Sequence, residues 1–125
     1  MTALGVSHKT VLIADDTPAV RERFMAALEH AGHRAFEARS AAEMLARIRV
    51  DLSAIDLVVM DLRLPPDEGV DLVRAVRRID GGRLPILVFS GTINAATQVR
   101  ELAELGVSGY VNEFSQAAHI LPALA

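Results

Sequence analysis

An α/β fold built on a parallel sheet is what this sequence predicts, and three observations carry the prediction. Five short aliphatic runs alternate with longer amphipathic stretches, the pattern of a βα-repeating chain. Several runs are continuously apolar, as strands covered by helices on both faces must be. The 125 residues are 51% hydrophobic but only 4% aromatic, a size that suits one domain with one core.

Thr10 to Ala14 (T-V-L-I-A) is too short for a helix and stops at two aspartates, so it reads as a central buried strand. Thr17 is positioned to cap the next helix and Pro18 to open it, Val20, Phe24, Leu28 and Ala31 line one face, and Gly32 ends it. Arg34 to Ala38 is a more polar strand, as an edge strand would be. Ser40-Ala-Ala-Glu43 matches a capping box for a helix that turns Ala41, Met44, Leu45 and Ile48 inward. A third strand covers Asp56 to Met60 and ends at Asp61. Leu62 to Gly69, with Pro65 and Pro66, reads as a rigid loop. A helix carrying Val70, Val73, Val76 and Ile79 follows, then a strand from Pro85 to Phe89 that ends at Ser90. The next helix presents Ala96, Val99, Leu102, Ala103 and Leu105 before Gly106 stops it. The last strand is Ser108 to Val111, and Ser115 caps a short final helix over 116–125 in which Pro122 forces an end or a kink.

Composition removes several function classes. Thirteen basic residues against sixteen acidic ones give a net charge of −3 and no basic stripe for nucleic acid. The absence of cysteine excludes disulfides, thiolate metal sites and thiol nucleophiles, and makes a cytoplasmic location the default. No apolar run approaches the roughly 18 residues of a membrane span. His8, His30, His33 and His119 share no ligand spacing and read as surface or tail residues, and Arg74, Arg77 and Arg78 as a solvated helix face. Residues 1–9 are expected to form a tail before a domain over 10–125.

The chemistry gathers at the carboxyl ends of the strands, where ligands of open parallel sheets bind. Asp15 and Asp16 follow the first strand, Asp61 the third, Ser90 the fourth, and Glu113 lies just beyond the fifth. Three clustered carboxylates repel one another and call for a hard cation, Mg²⁺ being the natural one. Magnesium keeps coordination sites for phosphate oxygens, and a carboxylate can attack phosphorus, so Asp61 is the candidate acceptor of a phosphoryl group.

These residues, in this order, resemble the receiver domain of two-component response regulators over nearly the whole chain. Asp15-Asp16 resembles the family's acidic pair, with Asp16 the more direct metal ligand. Asp61-Leu-Arg-Leu-Pro-Pro-Asp-Glu-Gly69 resembles its phosphoacceptor loop, Arg63 being similar to the residue whose backbone carbonyl completes the metal shell. Ser90 resembles the hydroxyl residue that bonds the phosphoryl group, and Tyr110, in Gly106-Val-Ser-Gly-Tyr-Val111, the aromatic that follows its movement. The resemblance implies a flavodoxin-like, doubly wound (βα)5 fold with strand order 2-1-3-4-5. It also implies Mg²⁺, phosphorylation of Asp61 by a histidine kinase or phosphotransfer protein, and a signalling module rather than an enzyme. A partner or a second copy would dock on the fourth helix and fifth strand. Gly109-Tyr-Val-Asn-Glu-Phe-Ser115 with His119-Ile-Leu-Pro122 is similar to receivers that precede a PilZ-type cyclic-di-GMP-binding domain, which makes such an output domain a candidate partner and the chain a candidate excised domain.

One position departs from the family. Two residues after Val111 a lysine is expected, and this chain has Glu113 followed by Phe114; its one lysine is Lys9. A glutamate there adds negative charge where phosphate must arrive. Arg63 is placed to lend positive charge from the loop. Two readings follow: a phosphoryl-accepting receiver, and a receiver fold kept as a docking or dimerisation surface.

Overall fold

The computed structural model describes residues 8–64, 67–90 and 96–112. Five parallel strands, β1 (Thr10–Ala14), β2 (Arg34–Ala38), β3 (Leu57–Asp61), β4 (Ile86–Ser90) and β5 (Gly109–Asn112), form one sheet in the order β2-β1-β3-β4-β5. The described helices are α1 (Pro18–His30), α2 (Ala41–Asp51), α3 (Val70–Asp80) and α4 (Ala96–Glu104). This is the predicted flavodoxin-like topology, with β2 at an edge and β1 and β3 at the centre. The final helix expected over 116–125 lies outside the described residues.

The two faces of the sheet follow the period of two that a strand imposes. Leu12, Ala14, Val58, Met60, Ile86 and Val88 pack with Met44 and Ile48 of α2, Leu72, Val73 and Val76 of α3, and Leu102 of α4. Val11, Ile13, Leu57, Val59 and Leu87 turn the other way, onto Phe24 and Leu28 of α1. Each fully buried side chain of this size stabilises the fold by roughly 1.5–3 kcal/mol, so the central strands, apolar on both faces, hold the core together.

Three strands run one residue later than the sequence suggests. Asp61 still pairs in the ladder, opposite Phe89, and Ser90 pairs opposite Asn112. Asp56 instead serves the neighbouring strand: its N–H donates to the Thr10 carbonyl and its Oδ2 accepts from the Thr10 N–H, both at 2.8 Å. The segment read as a rigid loop contains two short strands, Arg63–Leu64 and Asp67–Glu68, paired antiparallel; Pro65 and Pro66 between them lie outside the described residues.

Three helix starts were expected to be capped; Ser115 lies outside the described residues, and of the other two one is capped. The Ser40 hydroxyl accepts from the Glu43 N–H at 3.1 Å. Thr17 holds the cap position of α1, yet its side chain caps nothing; it donates weakly to Asp16 Oδ1 at 3.4 Å. Gly32 and Gly106 end α1 and α4 as expected, with φ of +89° and +75° that a side chain would strain. The inner face of α4 is narrower than its sequence suggests, since Val99 is 39% exposed and Ala103 is exposed.

Arg77 overturns the reading of a solvated arginine face. Its guanidinium donates to the carbonyls of Leu84 (2.8 Å), Leu105 (2.7 Å) and Gly106 (3.0 Å) and to Asp80 Oδ2 at 2.7 Å. The buried Asp80 carboxylate also accepts from the N–H groups of Gly82 and Leu84. Two residues of the expected tail are likewise tied down: Lys9 N–H donates to His33 Nδ1 at 3.1 Å, its carbonyl accepts from Arg34 N–H at 2.8 Å, and His8 Nδ1 hydrogen-bonds the Gly32 carbonyl. His33 is therefore partly buried rather than a free surface residue, and His119 lies outside the described residues.

Candidate functional site

The parallel ladder carries β1 and β3 side by side, with Ala14 opposite Met60, so the residues that follow both strands emerge at one edge of the sheet. Asp15 continues the line of β1, its N–H donating to the Ala38 carbonyl at 3.0 Å. Its side chain turns back to accept from the Thr17 N–H at 2.6 Å, and the residue is buried at 2% exposure. Asp16 is exposed. Asp61, the last residue of β3, is 7% exposed, and its Oδ1 accepts from the Arg63 N–H at 2.9 Å. Asp15, Asp16 and Asp61 each present a carboxylate oxygen within 4.8 Å of the other two. No other such group of three occurs among the described residues.

Burial governs the protonation of this cluster. It pushes the Asp61 carboxyl up to about 6, against the lowering effects of the Arg63 N–H and the Arg63 charge, and the negative charges of Asp15 and Asp16 push the same way as burial. Asp15 is raised as well, first by burial and then by Asp16, with the Thr17 N–H opposing. Both shifts mean that ionising the cluster needs a counter-charge. The donor set fits a hard divalent cation, since it consists of carboxylate oxygens, and each buried carboxylate has one oxygen committed to a backbone N–H.

Of the remaining predicted residues Ser90 stands at the same edge of the sheet, Tyr110 lies within a strand, Arg63 lies in the short ribbon, and Glu113 falls outside the described part. Ser90 closes β4, one residue beyond the Phe89 that pairs with Asp61. Tyr110 lies in β5 opposite Val88. The roles expected of the Ser90 and Tyr110 side chains fall outside the described part, as does Glu113. Arg63 belongs to the short ribbon, with its side chain exposed.

Arg21 is a residue that sequence reasoning missed. It is 6% exposed, and its NH1 donates to the Asp15 carbonyl at 2.7 Å. The signal was present: Arg21 stands three residues before Phe24 and seven before Leu28, on the stripe that faces the sheet.

Fold and site together define a doubly wound α/β domain with an acidic cluster at the carboxyl edge of its sheet. The chain belongs to the response regulator receiver domain family of two-component systems, whose family model matches residues 11–125. Among curated relatives it is 32% identical over 109 residues to the phosphate regulon transcriptional regulatory protein PhoB of Pseudomonas aeruginosa, covering 84% of this chain and 45% of that protein. It is 35% identical over 117 residues to the acid tolerance regulatory protein ActR of Rhizobium meliloti, covering 93% of this chain and 58% of that protein. The chain thus spans about half the length of these relatives. Among solved structures, a CheY-like receiver domain protein from Methanospirillum hungatei superposes with a TM-score of 0.82 at 24% identity, covering 94% of this chain and 91% of that one. A LuxR-family response regulator from Aurantimonas superposes with a TM-score of 0.79 at 32% identity, covering 94% of this chain and 83% of that one. No helix among the described residues is long and apolar enough to cross a membrane.

Proposed function

We propose that Asp61 accepts a phosphoryl group from a histidine kinase or phosphotransfer protein in a Mg²⁺-dependent step, in a cytoplasmic phosphorelay. The observation that carries this reading is the convergence of the Asp15, Asp16 and Asp61 oxygens within 4.8 Å. Asp16, Asp61 and the Arg63 carbonyl would hold the ion, with Asp15 beside them. Bound there, Mg²⁺ would supply positive charge against the phosphoryl oxygens. An Asp61 carboxylate oxygen forms the new bond to phosphorus while the donor's P–N bond breaks. The electron pair leaves on the donor imidazole nitrogen, which takes up a proton. Ser90 then engages the phosphoryl group, Tyr110 follows, and the face of α4 and β5 changes partner, with a PilZ-type output domain as one candidate.

Intact mass after incubation with Mg²⁺ and a small acyl phosphate tests this. A gain of one phosphoryl group in wild type that is absent in Asp61→Asn supports the reading, and no gain in wild type overturns it. Glu113 favours a second reading, a receiver fold used for docking without phosphorylation. No gain in wild type, together with a gain restored by Glu113→Lys, supports that one. Both readings agree with a signalling module, and a sensor histidine kinase of Pseudomonas aeruginosa, AruS, contains a stretch 32% identical to this chain.

A further inference from the structure

A guanidinium stays charged in any protein environment and is costly to bury without partners. Arg21 nonetheless lies in the slot between α1 and the sheet, on the buried stripe with Phe24 and Leu28, its side chain 7% exposed. The slot itself asks only for bulk, which methionine would supply without desolvating a charge. What Arg21 adds is direction. Its NH1 donates to the Asp15 carbonyl at 2.7 Å, and its Nε approaches Glu37 Oε2 of the edge strand at 3.4 Å.

The Asp15 carbonyl belongs to the planar peptide that leads into Asp16. The Asp15 backbone is gripped through its N–H by the Ala38 carbonyl at 3.0 Å and its carboxylate by the Thr17 N–H at 2.6 Å. The guanidinium supplies the third hold, on the carbonyl, and so sets the plane from which Asp16 departs. Asp16 is exposed, and its contact with Thr17 Oγ1 is 3.4 Å long. Arg21 reaches Asp15 at its main-chain carbonyl, so its effect runs through the backbone.

We infer that Arg21 is a positioning residue for the acidic site, orienting the Asp15–Asp16 peptide so that the Asp16 carboxylate meets Asp61 around a divalent cation, with Glu37 holding the guanidinium in place. The inference rests on the metal-site reading above. Groups that orient metal ligands without touching the metal typically change affinity by about 10- to 100-fold, and that range is expected here.

The test uses the whole chain as wild type, Arg21→Met and Arg21→Lys, with Mg²⁺ alone as the probe. Three readouts are taken: the melting temperature in chelator, the Mg²⁺ dissociation constant by calorimetry, and hydrogen exchange at the Thr17 amide. In Arg21→Met the Mg²⁺ dissociation constant rises by about 10-fold or more while the chain remains folded, and the Thr17 amide exchanges faster. Arg21→Lys, whose single ammonium can serve the Asp15 carbonyl or Glu37 but not both, falls between. An unchanged dissociation constant in Arg21→Met overturns the inference; if that variant does not fold, an unchanged constant in Arg21→Lys together with faster exchange at the Thr17 amide, which shows the hold to be lost, does so. Absence of Mg²⁺ binding in wild type overturns the metal-site reading instead. The Thr17 amide then decides for Arg21: unchanged exchange in a folded variant removes its positioning role, and faster exchange keeps it.

Discussion

Asp61 is held as an acid that folding makes weaker. Its carboxyl stands at about 6 against a free value of 3.8, mainly through burial. The folded chain therefore binds this proton more tightly than the unfolded chain does. The stability it contributes is fully present below about pH 4 and is lost as pH rises through about 6. A shift of this size corresponds to about 3 kcal/mol. Asp61→Asn is accordingly expected to stabilise the metal-free protein at pH 7.5 by up to about 3 kcal/mol and to flatten its pH dependence between 4 and 7, measured by urea unfolding. Mg²⁺ competes with that proton, so its affinity should fall as pH drops below about 6, which calorimetric titrations at pH 5 and 7.5 would show. An affinity that does not change with pH would contradict the burial argument. The acidic trio was legible in the sequence because each member sits at the end of an aliphatic run. The burial of Arg21 was legible from its place on the apolar stripe, but its role was not, because its partner is a main-chain carbonyl, which no residue type advertises.

Helix starts and helix junctions separate bonds that matter from bonds that only look right on paper. Ser40→Ala removes a hydrogen bond to the Glu43 N–H and is expected to cost about 1 kcal/mol. Thr17→Ala should cost well under that, since its hydroxyl caps nothing; equal losses in urea unfolding would contradict the assigned geometry. The clamp at the end of α3 is stronger. Asp80, with a fully buried carboxylate, bonds Arg77 and two backbone N–H groups, and Asp80→Ala is expected to cost about 3 kcal/mol or more. Arg74, on the same helix, pairs with Asp71 and Glu101 at the surface, and Arg74→Ala should change stability by no more than about 1 kcal/mol. Three arginines within five residues look alike in sequence. They part company because the carbonyls that Arg77 finds belong to Leu84, Leu105 and Gly106, up to 29 residues away. The strand ends slipped by one residue for a related reason. Asp61 and Ser90 read as terminators by type, but their backbones go on pairing with neighbours that only the assembled sheet supplies.

For the molecule as a whole, topology was the most legible property, because continuous runs such as Leu57–Met60 can be buried on both faces only inside a parallel sheet covered by helices. Burial on both faces also concentrates polar chemistry at the strand ends. A cation bound there should stabilise the entire domain: Mg²⁺ at about 100 times its dissociation constant adds about 2.7 kcal/mol, read as a rise in melting temperature that Asp61→Asn abolishes. No rise in wild type would count against the metal site. The opposite pole of the sheet is fastened differently. Arg77 bolts the residues that follow α4, Leu105 and Gly106, to the end of α3, which makes the foot of the helix the natural post for any rotation of it. A nine-residue helix is about 13 Å long, so a swing of about 10° around that post carries the Ala96 end through about 2 Å while Leu105 stays put. Any displacement started beside Ser90 would thus be felt most near the head of α4 and least at its foot.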